Sequence, residues 1–199
     1  MAEQALPRVG WGDVVGMAAR LIPERGIAKL TLGDIAEALK TDESAVTYWF
    51  QDAGQVLVAL AEIRNNWFLD EARARMANDA SQTERLRDFI ELCAADHEAT
   101  FLIEMWRLSS RDEPARQARQ AQADAFRRTI AGIIRAGQRT GEFSAVSPDK
   151  VALILAALIS GFSVSATLGD PAVTPEVMHA TLLDAAEQLL GVEFGPRAD

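Results

Sequence analysis

Few side chains in this sequence are placed for covalent or metal chemistry. There is one cysteine, Cys93, and there are two histidines, His97 and His179, far apart along the chain. A lone cysteine excludes an internal disulfide framework and most thiolate metal sites, and His97 beside Glu98 reads as a helix-end histidine rather than a ligand. No Gly-rich phosphate loop, nucleophile elbow, His-Glu metal spacing or clustered nucleophile and base occurs. The expectation is a protein that is not an enzyme and holds neither a metal nor a cofactor. What remains is hydrogen-bonding chemistry. It concentrates in Thr41-Asp42-Glu43-Ser44-Ala45-Val46-Thr47-Tyr48-Trp49-Phe50, where hydroxyls stand among acids and aromatic rings.

The elements that must position this run are helices. No stretch alternates apolar and polar residues long enough to propose a sheet, so the fold class is all-α. From Trp11 to Arg25 the residues Val14, Val15, Ala18, Leu21 and Ile22 keep helical spacing, and Gly26 supplies a stop. Thr31-Leu32-Gly33-Asp34 is a capping box opening a short helix with Ile35, Ala36 and Leu39 on one face. Asp42 is the N-cap of a third helix reaching about Trp49. Asp52 then opens a long helix, to about Asn78, with Val56, Leu57, Leu60, Ile63, Trp67 and Phe68 on its buried side. Further helices are expected over about 81–97, 100–109, 112–140, 147–168 and 174–190, closed by Gly141, Gly169 and Gly191, with Pro148 and Pro175 at first helical positions. The polar run 116–125 reads as a solvated face.

Bulk properties bound the function. Nearly half the 199 residues are hydrophobic and a quarter are charged, the balance of a folded domain. The start of the chain has neither a basic nor an apolar leader region, so a cytoplasmic protein is expected. Val151 to Leu168 carries no charge, but its serines and the lack of flanking cations predict a helix buried by protein on most sides rather than a membrane span. A net charge of -9 argues against loose binding to nucleic acid, which is driven by cations replacing counterions on phosphate. It leaves room for a small specific reading head.

The order Arg25-Gly26, Thr31, Ile35-Ala36 and Val46-Thr47-Tyr48-Trp49-Phe50 resembles the N-terminal domain of the TetR family of transcriptional regulators. The resemblance implies a helix-turn-helix over residues 1–53 whose third helix enters the major groove of a DNA operator. The positions it places against DNA are Thr31, Thr41, Ser44, Ala45, Thr47, Tyr48 and Trp49, together with Asp42 and Glu43. Ser44 and Thr47 are suited to base edges or phosphate, Ala45 to a thymine methyl, and Tyr48 and Thr31 to phosphate oxygens. Three positions depart from the family pattern: Lys40 stands at the usual turn glycine, Thr47 at the usual tyrosine, and Ala53 at a lysine that commonly holds phosphate.

Downstream, Met105-Trp106, Gly141-Glu142-Phe143 and Ala156-Ala157-Leu158-Ile159-Ser160-Gly161-Phe162 are similar to the C-terminal domain of BetI-like members of that family. This implies that residues 54–199 form an effector-binding and dimerisation domain, with a homodimer made by the last two helices. The chain itself offers Ser160, Gly161 and Val164 on one helix and Leu182, Ala186 and Leu189 on the other. A small, mostly apolar effector is expected among Trp67, Phe89, Phe101, Met105, Trp106, Phe126 and Ile130, with His97, Glu104 and Arg107 as polar candidates. The resulting reading is a ligand-responsive regulator, of repressor type by the family resemblance, partnered by double-stranded DNA, an effector and a second copy, without a membrane. The competing reading is a helical small-molecule or protein-binding module of the same fold with weak or lost DNA binding.

Overall fold

The computed structural model describes residues 9–26, 29–77, 79–95 and 99–195. These form nine α-helices, α1 (Trp11–Arg25), α2 (Leu32–Leu39), α3 (Glu43–Thr47), α4 (Ala53–Arg75), α5 (Gln82–Ala95), α6 (Thr100–Ser109), α7 (Glu113–Thr140), α8 (Pro148–Thr167) and α9 (Pro175–Leu190), with no strand among the described residues. The chain packs into two compact units that cut across the functional boundary expected at residues 53 and 54. One comprises Met1–Asn65 with Glu104–Arg119, and the other Asn66–Ile103 with Gln120–Asp199.

In the first unit α1 packs on α2, and α2 on α3. The helical spacing of Val14, Val15, Ala18, Ile35, Ala36, Val46 and Phe50 brings these side chains together out of water, with Val14, Ile35 and Val46 fully buried. Further along the chain, Ala61, Met105 and Ala115 form a small core of the same unit, bordered by Val58, Leu108 and Ala118. Asp52 caps α4 by accepting from the Gln55 amide at 2.9 Å, and Asp112 caps α7 by accepting from the Ala115 amide at 2.8 Å.

The second unit has one large core in which Phe89, Leu86, Ile90, Ile130, Ile134, Leu155, Met178, Leu182 and Leu190 are all nearly or fully buried. It is assembled from α5, α8 and α9 packed on one another with the later part of α7. The Gly141-Glu142-Phe143 turn between α7 and α8 locks it in three ways. Gly141 takes a positive φ of 80°, which only glycine adopts cheaply. Phe143 is buried so closely over Gly137 that any side-chain carbon there would fall inside its ring. Glu142 reaches the start of α5, accepting from the Thr83 amide at 2.9 Å and hydroxyl at 3.0 Å, and from the Thr140 hydroxyl at 2.8 Å. Burial pushes the Glu142 carboxyl up, but these donors and the Gln82 amide outweigh it and hold the group below the usual carboxylate range.

Two expectations are corrected here. On α4 the large residues Ile63 and Trp67 were placed on the buried side, yet they are 43% and 65% exposed. Val56, Leu57 and Leu60 are buried as expected, and with them Ala61, Leu69 and Ala72 take the inner side, because alanines permit a closer helix approach than a bulky ring. On α8 only one face is buried, by Val151, Ala152, Leu155, Ile159 and Ser163, while Leu153, Ile154 and Leu168 are 54%, 43% and 73% exposed. The helix is thus not enclosed on most sides by its own chain.

Because its folded pKa is lowered, Glu142 contributes stability that is complete above its unfolded pKa and is lost as pH falls through the folded value. Glu142→Ala is expected to lose about 1 kcal/mol at neutral pH and less near about pH 3, measured by urea unfolding at both. Gly137→Ala should cost about 1–3 kcal/mol despite alanine's better helix propensity, since the added methyl displaces Phe143.

Candidate nucleic-acid interface and effector domain

The reading head is built around the start of α2. Thr31 caps the helix, its hydroxyl oxygen accepting from the Asp34 amide at 3.1 Å, while Asp34 accepts from the Thr31 amide at 2.9 Å and from its hydroxyl at 2.6 Å. The Asp34 carboxylate also pairs with the Arg25 guanidinium, which joins the end of α1 to the start of α2. The Thr31 hydroxyl and amide hold the Asp34 carboxyl below its ordinary range, against partial desolvation and with a smaller contribution from Arg25.

The turn from α2 into α3 passes through Lys40 at φ 55° and ψ 48°, in the left-handed region as its place at a glycine position implied. Its amide donates back to the Glu37 carbonyl at 3.0 Å and the Thr41 amide to the Ala36 carbonyl at 3.0 Å, closing the end of α2. Asp42 occupies the N-cap position of α3, but its side chain makes no capping bond there. The α-helix itself is shorter than expected and ends at Thr47, with the Tyr48 and Phe50 amides still bonded to Ser44 and Val46.

Val46 and Phe50 turn inward, and Ser44, Thr47 and Tyr48 turn to solvent, Tyr48 being 52% exposed. Ala45 and Thr41 are half-buried, and Thr31 is exposed at the head of α2. The Thr47 hydroxyl donates to the Ser44 carbonyl at 3.3 Å. Trp49 differs in role from the expectation of a DNA contact: it is half-buried, and its indole N–H donates to the Val9 carbonyl at 2.8 Å. Its donor is spent on holding the chain entering α1, and its ring stands edge-on to Tyr48 at 4.9 Å.

The expected effector lining is divided between the two units. Phe89 and Ile130 lie in the core of the second unit, where Phe89 meets Phe126 at 5.2 Å and Phe68 at 6.0 Å between ring centroids. Phe101 is half-buried in that unit. Met105 belongs to the small core of the first unit, and Glu104 pairs with Arg107 at 2.7 Å. Trp67 and Trp106 are 65% and 41% exposed rather than lining an interior. His97 lies outside the described residues. A shallow cleft of about 180 Å³ in the second unit is bordered by Asp124, Arg127, Arg128, Asp149 and Ala152, too charged for a purely apolar ligand.

The helical period places Phe68 on the buried side of α4 but gives no sign of its partners Phe89 and Phe126, each 6.0 Å away between ring centroids. Sequence reasoning also missed Gln122. The run 116–125 was read as a solvated face, yet the Gln122 Nε2 atom is buried without a hydrogen-bond partner among the described residues. Of the residues expected at a dimer contact, Leu182 and Ala186 are 0% exposed within their own subunit and face its core, so they offer nothing to a second copy. Leu189, Val164 and Ser160 are half-buried and Gly161 is exposed.

Comparison with known proteins agrees with this architecture. Residues 82–191 match the family described as BetI-type transcriptional repressor, C-terminal. A protein from Saccharomonospora viridis, described as a transcriptional regulator and solved in complex with choline, superposes with a TM-score of 0.80 at 26% identity, covering 89% of this chain and 95% of that one. A TetR transcription regulator from Haloarcula marismortui ATCC 43049 gives a TM-score of 0.80 at 21% identity over 89% and 96% of the two chains. A protein from Rhodococcus sp., described as a TetR-family regulator, gives 0.68 at 24% identity over 89% and 96%. A comparison with curated proteins finds no match. The fold defines a helix-turn-helix transcriptional regulator. The chain belongs to the TetR family, with a C-terminal domain of BetI type.

Lys40 is expected to carry measurable backbone strain. Lys40→Gly should raise stability by about 0.5–1 kcal/mol in chemical denaturation, since glycine enters the left-handed region without the Cβ clash but loses more chain entropy on folding. Unchanged or lower stability would mean that the lysine side chain offsets the strain.

Proposed function

We propose that the chain is a cytoplasmic, ligand-responsive repressor that binds a palindromic operator as a homodimer, with residues 1–53 reading DNA and 54–199 holding effector and partner. The observation that carries this reading is the division of α3. Val46 and Phe50 anchor it in the core while Ser44, Thr47 and Tyr48 are left on its outer side, an arrangement that spends hydrogen-bonding groups on solvent unless a groove receives them. Two such heads related by a two-fold axis would meet successive half-sites of a palindrome.

The dimer reading is supported by α8, whose exposed Leu153, Ile154, Ala157 and Gly161 form an apolar strip, and by Val177 on α9, which is 44% exposed. α8 is long and apolar enough to cross a membrane by length and composition. Its other face is packed in the core of a protein with charged residues Asp149 and Lys150 at the helix start, so a second copy accounts for it better than lipid.

For the effector we infer a small, mostly apolar molecule bound in the C-terminal domain, with quaternary ammonium compounds as the first class to try. The S. viridis protein was solved with choline, and the grouped rings of Phe68, Phe89 and Phe126 are of the type that attracts such cations. α4 contributes residues to both units, so an effector that shifts its later turns would reorient the reading head and weaken operator binding. The second reading, a binding module of this fold with weak DNA affinity, is favoured by Ala53 and by the commitment of Arg25 to Asp34.

Selection from a random duplex library at low salt should enrich a palindrome; failure to enrich one sinks operator binding and promotes the second reading. Gly161→Trp tests the dimer. A Cβ at Gly161 meets nothing within 4 Å outside its own helix backbone and chain neighbours, so the variant should keep its helical circular dichroism spectrum yet sediment as a monomer where the wild type is a dimer, with a melting temperature lowered only by the lost association. Leu182→Ala should do the opposite, costing about 2–5 kcal/mol of subunit stability because its side chain is fully buried. A wild type that is monomeric but partitions into vesicles would assign the α8 face to lipid instead.

A further inference from the structure

Along the middle of α7 the polar side chains find partners close at hand, and Gln122 stands apart from them. Gln117 Nε2 donates to Glu113 at 3.0 Å, Arg116 pairs with the same Glu113 at 2.6 Å, Asp124 takes Arg127, and the Thr129 hydroxyl donates to the Ala125 carbonyl at 3.1 Å. Gln122 has no such neighbour. Three and four residues to either side of it are Ala118, Arg119, Ala125 and Phe126, none with a side-chain acceptor. Its Nε2 is nonetheless buried, and no hydrogen-bond partner reaches it among the described residues. A buried donor left unmet opposes folding, and natural proteins keep such groups where function requires them. One turn later on the same face of α7, the Phe126 ring meets Phe89 at 5.2 Å and Phe68 at 6.0 Å. Phe89 is 1% exposed, but Phe68 and Phe126 are each half-buried, so this ring cluster has an edge open to a small molecule.

Resting on the effector reading above, we propose that Gln122 selects the polar end of the effector: its carboxamide binds a hydroxyl of the ligand while the Phe68 and Phe126 rings take the apolar or cationic end. The geometry sets the size of that molecule. Side chains four apart on a helix have Cβ atoms about 5–6 Å apart, so the hydroxyl stands only a few bonds from the group on the rings. The chemistry of the amide sets its class. A carboxamide is uncharged and carries a donor beside an acceptor, and a hydroxyl, which is donor and acceptor at once, answers either end of it. An anion is not called for, because the nearby carboxylate and guanidinium of Asp124 and Arg127 are paired with each other. A ligand of the same shape without the oxygen would make the ring contacts and leave the amide unmet. A site built on a buried polar group rejects such an analogue more strongly than an apolar wall can. The effector is therefore a compact hydroxyl compound with its oxygen close to an apolar or quaternary ammonium group, and not a plain hydrocarbon.

The test uses two pairs of probes that differ only in the hydroxyl: choline against ethyltrimethylammonium, and benzyl alcohol against toluene. Each is titrated into the full-length wild type and into Gln122→Met by calorimetry and thermal shift. The wild type should prefer at least one hydroxyl compound over its match by about tenfold in Kd. Gln122→Met keeps the length and helix propensity of the side chain without its amide, and it should bind both members of that pair alike. Free of ligand, Gln122→Met should also melt about 2–4 °C above the wild type, since the unmet donor is gone. Gln117→Met, whose exposed amide is paired with Glu113, should leave the preference unchanged. A wild type that binds matched compounds equally, or a Gln122→Met that keeps the preference, overturns the role of Gln122 while the effector reading stands. A ligand-free Gln122→Met that melts at or below the wild type shows that the amide has its partner within the fold, and overturns that role likewise. If no probe binds the wild type, the effector reading fails and the assignment of Gln122 fails with it.

Discussion

At the junction of α1 and α2 the Asp34 carboxylate accepts from the amide and hydroxyl of Thr31 and pairs with the Arg25 guanidinium. One side chain thus caps a helix and ties it to the end of the preceding one. The direction of α2 follows, and with it the left-handed turn at Lys40 and the line along which α3 leaves the head. The junction fixes the start of α2, and packing then carries that placement to the groups on α3 that could face a DNA groove. Ser44 and Thr47 sit on a five-residue helix too short to be stable alone, with Tyr48 at its C-cap, and packing through Val46 and Phe50 holds them in place.

The same junction determines the electrostatics of the head. Arg25 spends its charge on Asp34, Ala53 supplies none, and Asp42 and Glu43 project negative charge at the start of α3. Such a head cannot rely on the counterion release that gives most DNA-binding proteins their affinity. On the function proposed above, its binding would come from shape, from hydrogen bonds at few positions and from doubling by symmetry, and dimerisation and reading would be parts of one requirement.

In the second unit the constraint is that α8 has more apolar surface than its own chain can cover. Its inner face joins the core with Met178, Leu182 and Leu190 of α9, and the Glu142 turn fixes the start of α5 against it. Gly137 and Phe143 show how tightly this region is closed, since the ring occupies the space a side chain would need. Any adjustment of α8 or α9 to a partner therefore passes through a core with little slack. The Phe68, Phe89 and Phe126 rings share that core, so a ligand near them and a partner on α8 would act on the same packed side chains.

Much of this was determined by the sequence alone, because the signals are local. Helix ends follow from caps and glycines within four residues of one another: the Thr31 and Asp34 box, the Asp52 and Asp112 caps, and the positive φ angles at Gly26, Gly141, Gly169 and Gly191 all occur where residue type predicts them. The left-handed turn at Lys40 was legible only through the resemblance, since lysine carries no such preference. What the tertiary structure decided is which side of each helix is inside. Ile63 and Trp67 lost that place to Ala61 and Ala72, and Leu182 and Ala186 face their own core rather than an outer surface. Trp49 gave its N–H to Val9, forty residues away in sequence. A helical period fixes the angle between side chains but not the zero of that angle, which is set by partners distant in the chain and by how closely small residues let two helices approach.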